Sequence, residues 1–215
     1  MKLKVKQWIK KNIKWIIALI CLLGFLALAE DVFHQEEMAG DSIGYHFIAT
    51  YLISDKITPA IQFITNFGGA ICCLSITILL LLFAKNKRIG IAVGVNLIIA
   101  TAFNILLKSI FQRPRPIEYR IIDESGYSFP SGHSMVSMAF YGFLIYLIYK
   151  YVKNKYVKWG SISMVTLLIL TIGISRIYLG VHYASDVLAG FLFSISYLIV
   201  FIHIICKYWL AKKNS

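Results

Sequence analysis

The chain has 215 residues, of which 59% are hydrophobic and only 15% are charged, yet its formal net charge is +12. Soluble domains are about half apolar and about a quarter charged, so an ordinary soluble enzyme and a disordered chain are both excluded. Such a positive charge is typical either of nucleic-acid binding or of the flanks of membrane spans. The positions of the charged residues distinguish these two interpretations.

Six apolar runs along the chain are expected to cross a membrane, because a helix needs roughly 20 residues to traverse the hydrocarbon core. The runs cover residues 15–29, 68–84, 89–107, 134–149, 159–175 and 187–206. Several are short, so the helices are expected to extend into their polar flanks. The sequence therefore predicts an all-α membrane protein with six transmembrane helices, forming a single domain over residues 1–215.

The basic residues predict the orientation of these spans. Sixteen of the 22 lie in four segments that hold no acidic residue, and all ten acidic residues lie in the alternate segments. The four segments contain Lys2, Lys4, Lys6, Lys10, Lys11 and Lys14; Lys85, Lys87 and Arg88; Lys150, Lys153, Lys155 and Lys158; and Lys207, Lys212 and Lys213. The positive-inside rule places these segments and both termini in the cytoplasm. Charges scattered over four short flanks do not form a nucleic-acid-binding face.

Two segments allow alternatives. The first apolar run, which ends near Ala27-Leu28-Ala29, fits an uncleaved anchor, although it also resembles a cleavable signal peptide. Residues 41–64 are too polar to span, and their spaced Ile, Tyr and Phe side chains suggest an amphipathic piece on the membrane surface. A plain loop fits that segment nearly as well.

Ionisable residues collect at the predicted outward face, in residues 108–134 and 175–186. Lys108, Arg115 and Arg176 are cations at helix ends, and His133 and His182 lie beside them in sequence. Lipid headgroup anchoring would explain cations at the rim of the membrane. It does not call for histidines, a Ser-Gly turn and a nearby acid, so a functional site is favoured.

The residue types at this face suit phosphate. Ser131 can cap the fourth helix and Gly132 allows close approach of the backbone, so the free amides at that helix start can bind an anion. Arg115 and Arg176 offer planar forks for phosphate oxygens, and Lys108 adds a point charge.

Two histidines and one acid could supply the chemistry. His182 and Asp186 are four residues apart and should share a helix face, where the carboxylate would fix the tautomer of the ring. His182 would then attack as a nucleophile, and His133 could protonate the leaving oxygen.

These residues follow a known pattern: Lys108, six residues, then Arg115-Pro116; Pro130-Ser131-Gly132-His133; and Ser175-Arg176, five residues, His182, three residues, Asp186. The pattern resembles the three-part signature of the type-2 phosphatidic acid phosphatase family, which also includes vanadium haloperoxidases. The motifs cover residues 108–186, and the six-span plan extends the likeness over most of the chain.

The resemblance implies a membrane-embedded lipid phosphatase that needs no metal or other cofactor, with its site at the extracytoplasmic ends of helices 3–6. It supports His182 as a nucleophile that forms a phosphohistidine, Asp186 as its partner and His133 as the acid. Lys108, Arg115, Arg176, Ser131 and Gly132 would bind the phosphate. Ser175 could bond to the site or simply pack.

An outward site and an Ile- and Lys-rich, bacterial-type composition favour undecaprenyl pyrophosphate or phosphatidylglycerophosphate as substrate. Phosphatidic acid and diacylglycerol pyrophosphate are alternatives, as are a vanadate-dependent haloperoxidase and a non-catalytic lipid binder or transporter. The connection between the third and fourth spans holds further charges, expected to be solvated, although they could tune headgroup preference: Arg113, Glu118, Arg120, Asp123 and Glu124.

Overall fold

The computed structural model describes residues 2–36, 38–117 and 120–210, and its side chains from Gln7 onward. Every regular element in these ranges is helical, which confirms the predicted all-α fold. The α-helices are α1 (Lys2–Phe33), α2 (Ala39–Tyr51), α3 (Thr58–Thr65), α4 (Ala70–Phe83), α5 (Lys87–Phe111), α6 (Gly132–Tyr151), α7 (Lys155–Tyr178) and α8 (Ala184–Ile205). A 3-10 turn, Asn66–Gly68, precedes α4, and a π-helical turn, Cys206–Leu210, follows α8.

Five helices of the described chain are long and apolar enough to cross a membrane. They span Gln7–Phe33, Lys87–Phe111, Gly132–Tyr151, Lys155–Tyr178 and Ala184–Leu210. Large apolar side chains project outward from them; Ile98 is 69% exposed and Leu167 is 65% exposed. Such surfaces suit contact with lipid tails. A membrane helix makes its backbone hydrogen bonds internally, so its apolar side chains can face the lipid. The protein is therefore a multi-pass membrane protein.

A sixth candidate span consists of two helical pieces that meet at an angle. Thr58–Gly68 and Ala70–Phe83 are bent by 51° and together pass the same test of length and hydropathy. A Cβ on Gly68 would lie only 2.6 Å from Cγ2 of Ile172, so the chain turns where only glycine fits against α7. The bent pair begins ten residues before the predicted second span, residues 68–84.

The segment 41–64 is neither a plain loop nor a single surface piece. Its first part belongs to α2, which buries Asp41 and Ile48, and its last part forms α3 at the start of the bent span. The Tyr178 hydroxyl at the end of α7 accepts a hydrogen bond from the Ser54 amide at 3.1 Å and lies 2.8 Å from the Thr58 hydroxyl. Both short helices therefore pack against the end of α7 rather than lying apart from the bundle.

Helix α6 has neighbours on three sides, since it packs against α5, α7 and α8. The buried Asn96 of α5 joins these helices: its Nδ2 donates to the Ala139 carbonyl at 2.8 Å, and its Oδ1 accepts from the Tyr197 hydroxyl at 3.0 Å. Interhelical hydrogen bonds of this kind stabilise membrane bundles by about 0.6 kcal/mol each on average. The bundle holds the ends of α5 and α7 beside the starts of α6 and α8.

Candidate active site

The structure places all eight residues predicted for the site at one end of the bundle. They lie in the last turns of α5 and α7, in the first turns of α6 and α8, and in the connections between these helices: Lys108, Arg115, Ser131, Gly132, His133, Arg176, His182 and Asp186. These helices contain the third to the sixth candidate spans.

His182 and Asp186 are in contact, as their spacing predicts. Nδ1 of His182 lies 3.3 Å from Oδ2 of Asp186, and both residues are buried. The turn before α8 is possible because Gly180 adopts φ +68°, and the His182 amide then bonds to the Arg176 carbonyl at 3.3 Å. Asp186 also accepts the Tyr183 amide at 2.9 Å, which caps α8.

Burial lowers the pKa of His182 to about 4, although the hydrogen bond and charge of Asp186 act to raise it. The imidazole is therefore neutral at physiological pH.

Arg115 lies on the other side of the His182 ring. Its NH1 is 3.0 Å from Nε2 of His182 and 2.9 Å from the Val181 carbonyl. A guanidinium only donates, so Nε2 acts as the acceptor and the ring proton lies on Nδ1, facing Asp186. Burial lowers the pKa of Arg115, partly offset by the charge of Glu124, but an arginine remains charged.

Arg176 is 1% exposed and is held between two helices and a loop. Its NH1 donates to the Thr65 hydroxyl at 3.0 Å, and its NH2 forms an ion pair with Glu124. Among the residues that the structure describes, its Nε has no hydrogen-bond partner, although it is a buried polar atom. The Ser175 hydroxyl lies 3.0 Å from the Thr65 hydroxyl, which Arg176 also contacts, and 2.6 Å from the Ile172 carbonyl.

Four consecutive residues, Glu124–Tyr127, supply acceptors to all three predicted phosphate-binding cations. Glu124 pairs with Arg176. The carbonyls of residues 125 and 126 accept from Arg115 at 3.0 and 2.9 Å, and the carbonyl of residue 127 accepts from Lys108. Gly126 adopts φ +75°, a conformation that favours glycine. We refer to these residues as the acceptor segment.

The start of α6 forms another wall. Ser131 caps the helix, with its hydroxyl 3.5 Å from the Ser134 amide, and its own amide donates to the Asp186 carbonyl at 3.0 Å. A Cβ on Gly132 would lie 2.9 Å from Oδ1 of Asn104, so this glycine is required by the close approach of α5. His133 is half-buried in the first turn, beside Gly68 and Gly69 at the bend of the second span.

Two charged loop residues that were expected to be solvated form ion pairs with residues of the site. Glu124 is half-buried, and although burial raises its pKa, the charges of Arg176, His133 and Arg115 outweigh that effect and lower it. Arg113 is 13% exposed and forms ion pairs with Asp41 and Asp186, both at 2.7 Å. Arg120 and Asp123 are exposed, as expected for solvated charges, while Glu118 falls outside the described residues.

A cavity of about 1230 Å³ reaches the site between α1, α2 and the end of α5. Of the predicted site residues, Arg115 and His182 line it. Apolar walls come from Phe33, Ile110 and Phe111, and polar walls from residues that include Asp41, Tyr45, His46 and Arg113. This mixture suits a ligand with a polar head and an apolar tail.

The fold is that of a known class of membrane protein. The family model of the PAP2 superfamily matches residues 89–209, more than half of the chain. The chain belongs to this superfamily, and the resemblance found in its motifs is confirmed.

Individual relatives agree with this membership. The chain is 41% identical over 90 residues to phosphatidylglycerophosphatase B of Bacillus subtilis, covering 41% of this chain and 44% of that protein. It is 26% identical over 189 residues to undecaprenyl-diphosphatase of Sulfolobus acidocaldarius, covering 85% and 86%. The crystal structure of a transmembrane PAP2-type phosphatidylglycerolphosphate phosphatase from Bacillus subtilis has the same fold, with a TM-score of 0.78 at 24% identity over 89% of this chain and 96% of that one.

Proposed function

We propose that the protein is a lipid phosphate phosphatase that works through a phosphohistidine on His182. The observation that carries this proposal is the pair of contacts on the imidazole: Asp186 at Nδ1 and Arg115 at Nε2. Together they set a neutral tautomer whose Nε2 lone pair faces a cation that can also hold a phosphoryl oxygen. A nucleophile activated by an orienting partner is the general arrangement for covalent catalysis.

In the first step, Nε2 of His182 attacks phosphorus and the bond to the leaving oxygen breaks. His133 donates a proton to that oxygen, so the departing alcohol or phosphate leaves protonated. The charge on the phosphoryl oxygens is stabilised by Arg115, Arg176 and Lys108, because phosphoryl transfer depends mainly on positioning and electrostatic stabilisation.

In the second step, a water molecule attacks the phosphorus of the phosphohistidine. His133, which is now neutral, accepts a proton from that water. The bond between phosphorus and Nε2 breaks, which releases inorganic phosphate and restores His182. The residues of this chain supply the nucleophile, the acid and the anion-binding groups, so we propose that the reaction needs no metal.

We propose undecaprenyl pyrophosphate or phosphatidylglycerophosphate as the substrate. The relatives named phosphatidylglycerophosphatase B and undecaprenyl-diphosphatase support these two classes. The cavity supports a substrate whose headgroup reaches His182 while its tail follows the apolar walls provided by α1 and α5. Phosphatidic acid and diacylglycerol pyrophosphate carry the same reacting group and remain alternatives.

We further propose that the site faces outward and that both termini are cytoplasmic. The support is the charge distribution, because the described parts of the acid-free basic segments lie at the bundle end opposite His182. A site at that face would act on phosphates presented by the outer leaflet.

The test is phosphate release from a panel of purified lipid phosphates and pyrophosphates in detergent, with a chelator present. The wild-type protein and His34→Ala, an exposed histidine at the end of α1, should hydrolyse at least one of them, whereas His182→Ala should lose at least about a thousandfold in kcat. Loss of activity on chelation would overturn the metal-free reaction. Binding of the lipids without hydrolysis by the wild-type protein would instead identify a lipid binder.

A further inference from the structure

Arg113 and Asp41 form a buried ionic network on the far side of Asp186 from His182. Arg113 precedes the arginine of the first motif by two residues, and Asp41 lies in the first turn of α2, outside residues 89–209 that match the family model. Neither residue belongs to the set that the motifs predict, and each is almost fully enclosed by protein.

Both terminal nitrogens of the Arg113 guanidinium donate hydrogen bonds. NH1 donates to Oδ1 of Asp186 at 2.7 Å and to the Ser185 hydroxyl at 2.8 Å, while NH2 donates to Oδ2 of Asp41 at 2.7 Å. Its flat face stacks on the Tyr183 ring, with Cζ 4.0 Å from the ring centroid. The carbonyl of Arg113 accepts the Ser128 amide at 2.9 Å, so its backbone is also fixed.

Asp41 completes the network from another helix. Its Oδ1 accepts the Ser185 amide at 2.8 Å and its Oδ2 accepts the Ser185 hydroxyl at 2.8 Å. A carboxylate at this place satisfies a free amide in the first turn of α8 and suits the positive end of the helix dipole. Asp41 therefore holds both the guanidinium of Arg113 and the start of the helix that carries Asp186.

This network accounts for every side-chain oxygen of Asp186. Oδ1 is taken by Arg113, and Oδ2 is shared between the Tyr183 amide and Nδ1 of His182. Asp186 is fully buried, and a buried carboxylate needs a compensating charge. Since His182 is neutral, Arg113 supplies that charge. The direction of the hydrogen bond from Arg113 to Oδ1 sets the plane of the carboxylate.

We propose that Arg113 and Asp41 are positioning residues that hold Asp186 ionised and oriented toward Nδ1 of His182, and so keep Nε2 unprotonated for attack. The inference rests on the proposed function of His182 as nucleophile. Without Arg113, Oδ1 loses its partner and the carboxylate can rotate or take up a proton, and the ring then exchanges between tautomers. Outer partners that orient metal-binding histidines typically contribute about ten- to a hundredfold, and we expect an effect of similar size here.

The kinetic test uses Arg113→Gln, Arg113→Lys, Asp41→Asn and the double variant Asp41→Asn/Arg113→Gln. Arg113→Gln should lower kcat about ten- to a hundredfold, and inhibition by inorganic phosphate should stay within about twofold of wild type because the cations that bind the anion are untouched. Arg113→Lys keeps the charge but not the fork, so it should recover part of the loss. The double variant should be no slower than Arg113→Gln, because the two residues act as one unit.

Matched controls are available in the same segments. Arg120→Gln removes an exposed arginine from the connection that holds Arg113, and Asp55→Asn removes an exposed aspartate from the turn after α2. Both should retain wild-type kcat. Wild-type kcat in folded Arg113→Gln, or additive losses in the double variant, would overturn the proposal.

A second measurement does not depend on turnover. In protein labelled with 15N-histidine, and with the signals assigned through His182→Ala, the His182 ring should show a protonated Nδ1 and an unprotonated Nε2. Arg113→Gln should give a mixture of tautomers, and Arg120→Gln should not. Unchanged imidazole signals in folded Arg113→Gln would refute the positioning role, whether or not the protein hydrolyses any lipid. Absence of phosphate release by the wild-type protein would instead count against the proposed function alone.

Discussion

Glu124 and Arg176 form a partly buried ion pair, in which the arginine is 1% exposed and the glutamate side chain is 32% exposed. Arg176 is one of the three cations that we propose bind the phosphate. A phosphoryl oxygen that binds the N–H group with which Arg176 contacts Glu124 has to replace that carboxylate, which is an anion of the same sign. We therefore expect the strength of phosphate binding to depend on a residue that belongs to none of the three motifs.

Glu124→Gln should strengthen inhibition by inorganic phosphate and by vanadate. The amide of glutamine can still accept from Arg176, but it no longer competes as an anion or repels one. We expect the inhibition constants to fall about three- to tenfold, equivalent to about 0.7–1.4 kcal/mol. Asp123→Asn, which neutralises the exposed neighbouring residue, should leave them unchanged. Weaker inhibition in Glu124→Gln would show that the carboxylate organises the cations rather than competing with the anion.

His133→Ala should impair substrates according to their leaving group. A lipid phosphomonoester releases an alkoxide, which needs a proton, whereas an aryl phosphate such as p-nitrophenyl phosphate releases a stable anion. We expect kcat to fall about a hundredfold or more for the lipid and much less for the aryl phosphate. Equal losses for both, measured beside His34→Ala, would assign His133 to phosphate binding instead of proton transfer.

The free energy of unfolding should depend on pH through His182. Burial holds the pKa of this residue at about 4 in the folded protein, against an ordinary value of 6.5. Between these values the unfolded chain binds the proton and the folded protein does not, so stability is full above about pH 6.5 and falls as the pH decreases toward 4.

The measurement for this dependence is thermal unfolding in detergent at pH 7, 6 and 5. His182→Asn, which cannot take up this proton, should lose less stability over that range than the wild-type protein or His34→Ala. Parallel curves for His182→Asn and wild type would contradict a low pKa at this position.

The orientation of the bundle can be tested with reporters. A reporter fused after Lys153, in the connection between α6 and α7, should report the cytoplasm because this segment carries four lysines and no acid. A cysteine introduced at Asp123 should react with an impermeant thiol reagent added to intact cells. The opposite pair of results would invert the topology and remove the argument for an outer-leaflet substrate.

The sequence predicted the parts of the site that local spacing encodes. His182 and Asp186 are one helical turn apart, and Ser131 to His133 begin a helix, so their relationships follow from the geometry of a single element. Arg115 and Arg176 could be assigned to the same face because apolar spans fix which connections share a side of the membrane.

Contacts between distant segments were not predictable in the same way. Arg113 meets Asp41 across 72 residues of sequence, and Glu124 meets Arg176 across 52. Loop charges are normally solvated, so nothing in their local sequence indicated burial.

The bend of the second span was missed for a related reason. Hydropathy measures how apolar a window of sequence is. The polar residues before Gly68 therefore make the apolar run start later in the sequence than the helical pair, which begins at Thr58. The need for glycine arises from the Ile172 side chain of α7, which is 104 positions away in the chain. Only the packing of α3 and α4 against the rest of the bundle reveals it.

The acceptor segment treats its three cations unequally. Lys108 and Arg115 face main-chain carbonyls, which are neutral dipoles, and only Arg176 faces a full negative charge. Exchanging a dipole for a phosphoryl oxygen gains charge–charge attraction, whereas exchanging one anion for another gains little. We therefore expect an incoming phosphate to meet less competition at Lys108 and Arg115 than at the NH2 group of Arg176. Since no side-chain substitution removes a main-chain carbonyl, amino-acid replacement can tune this competition chiefly at residue 124.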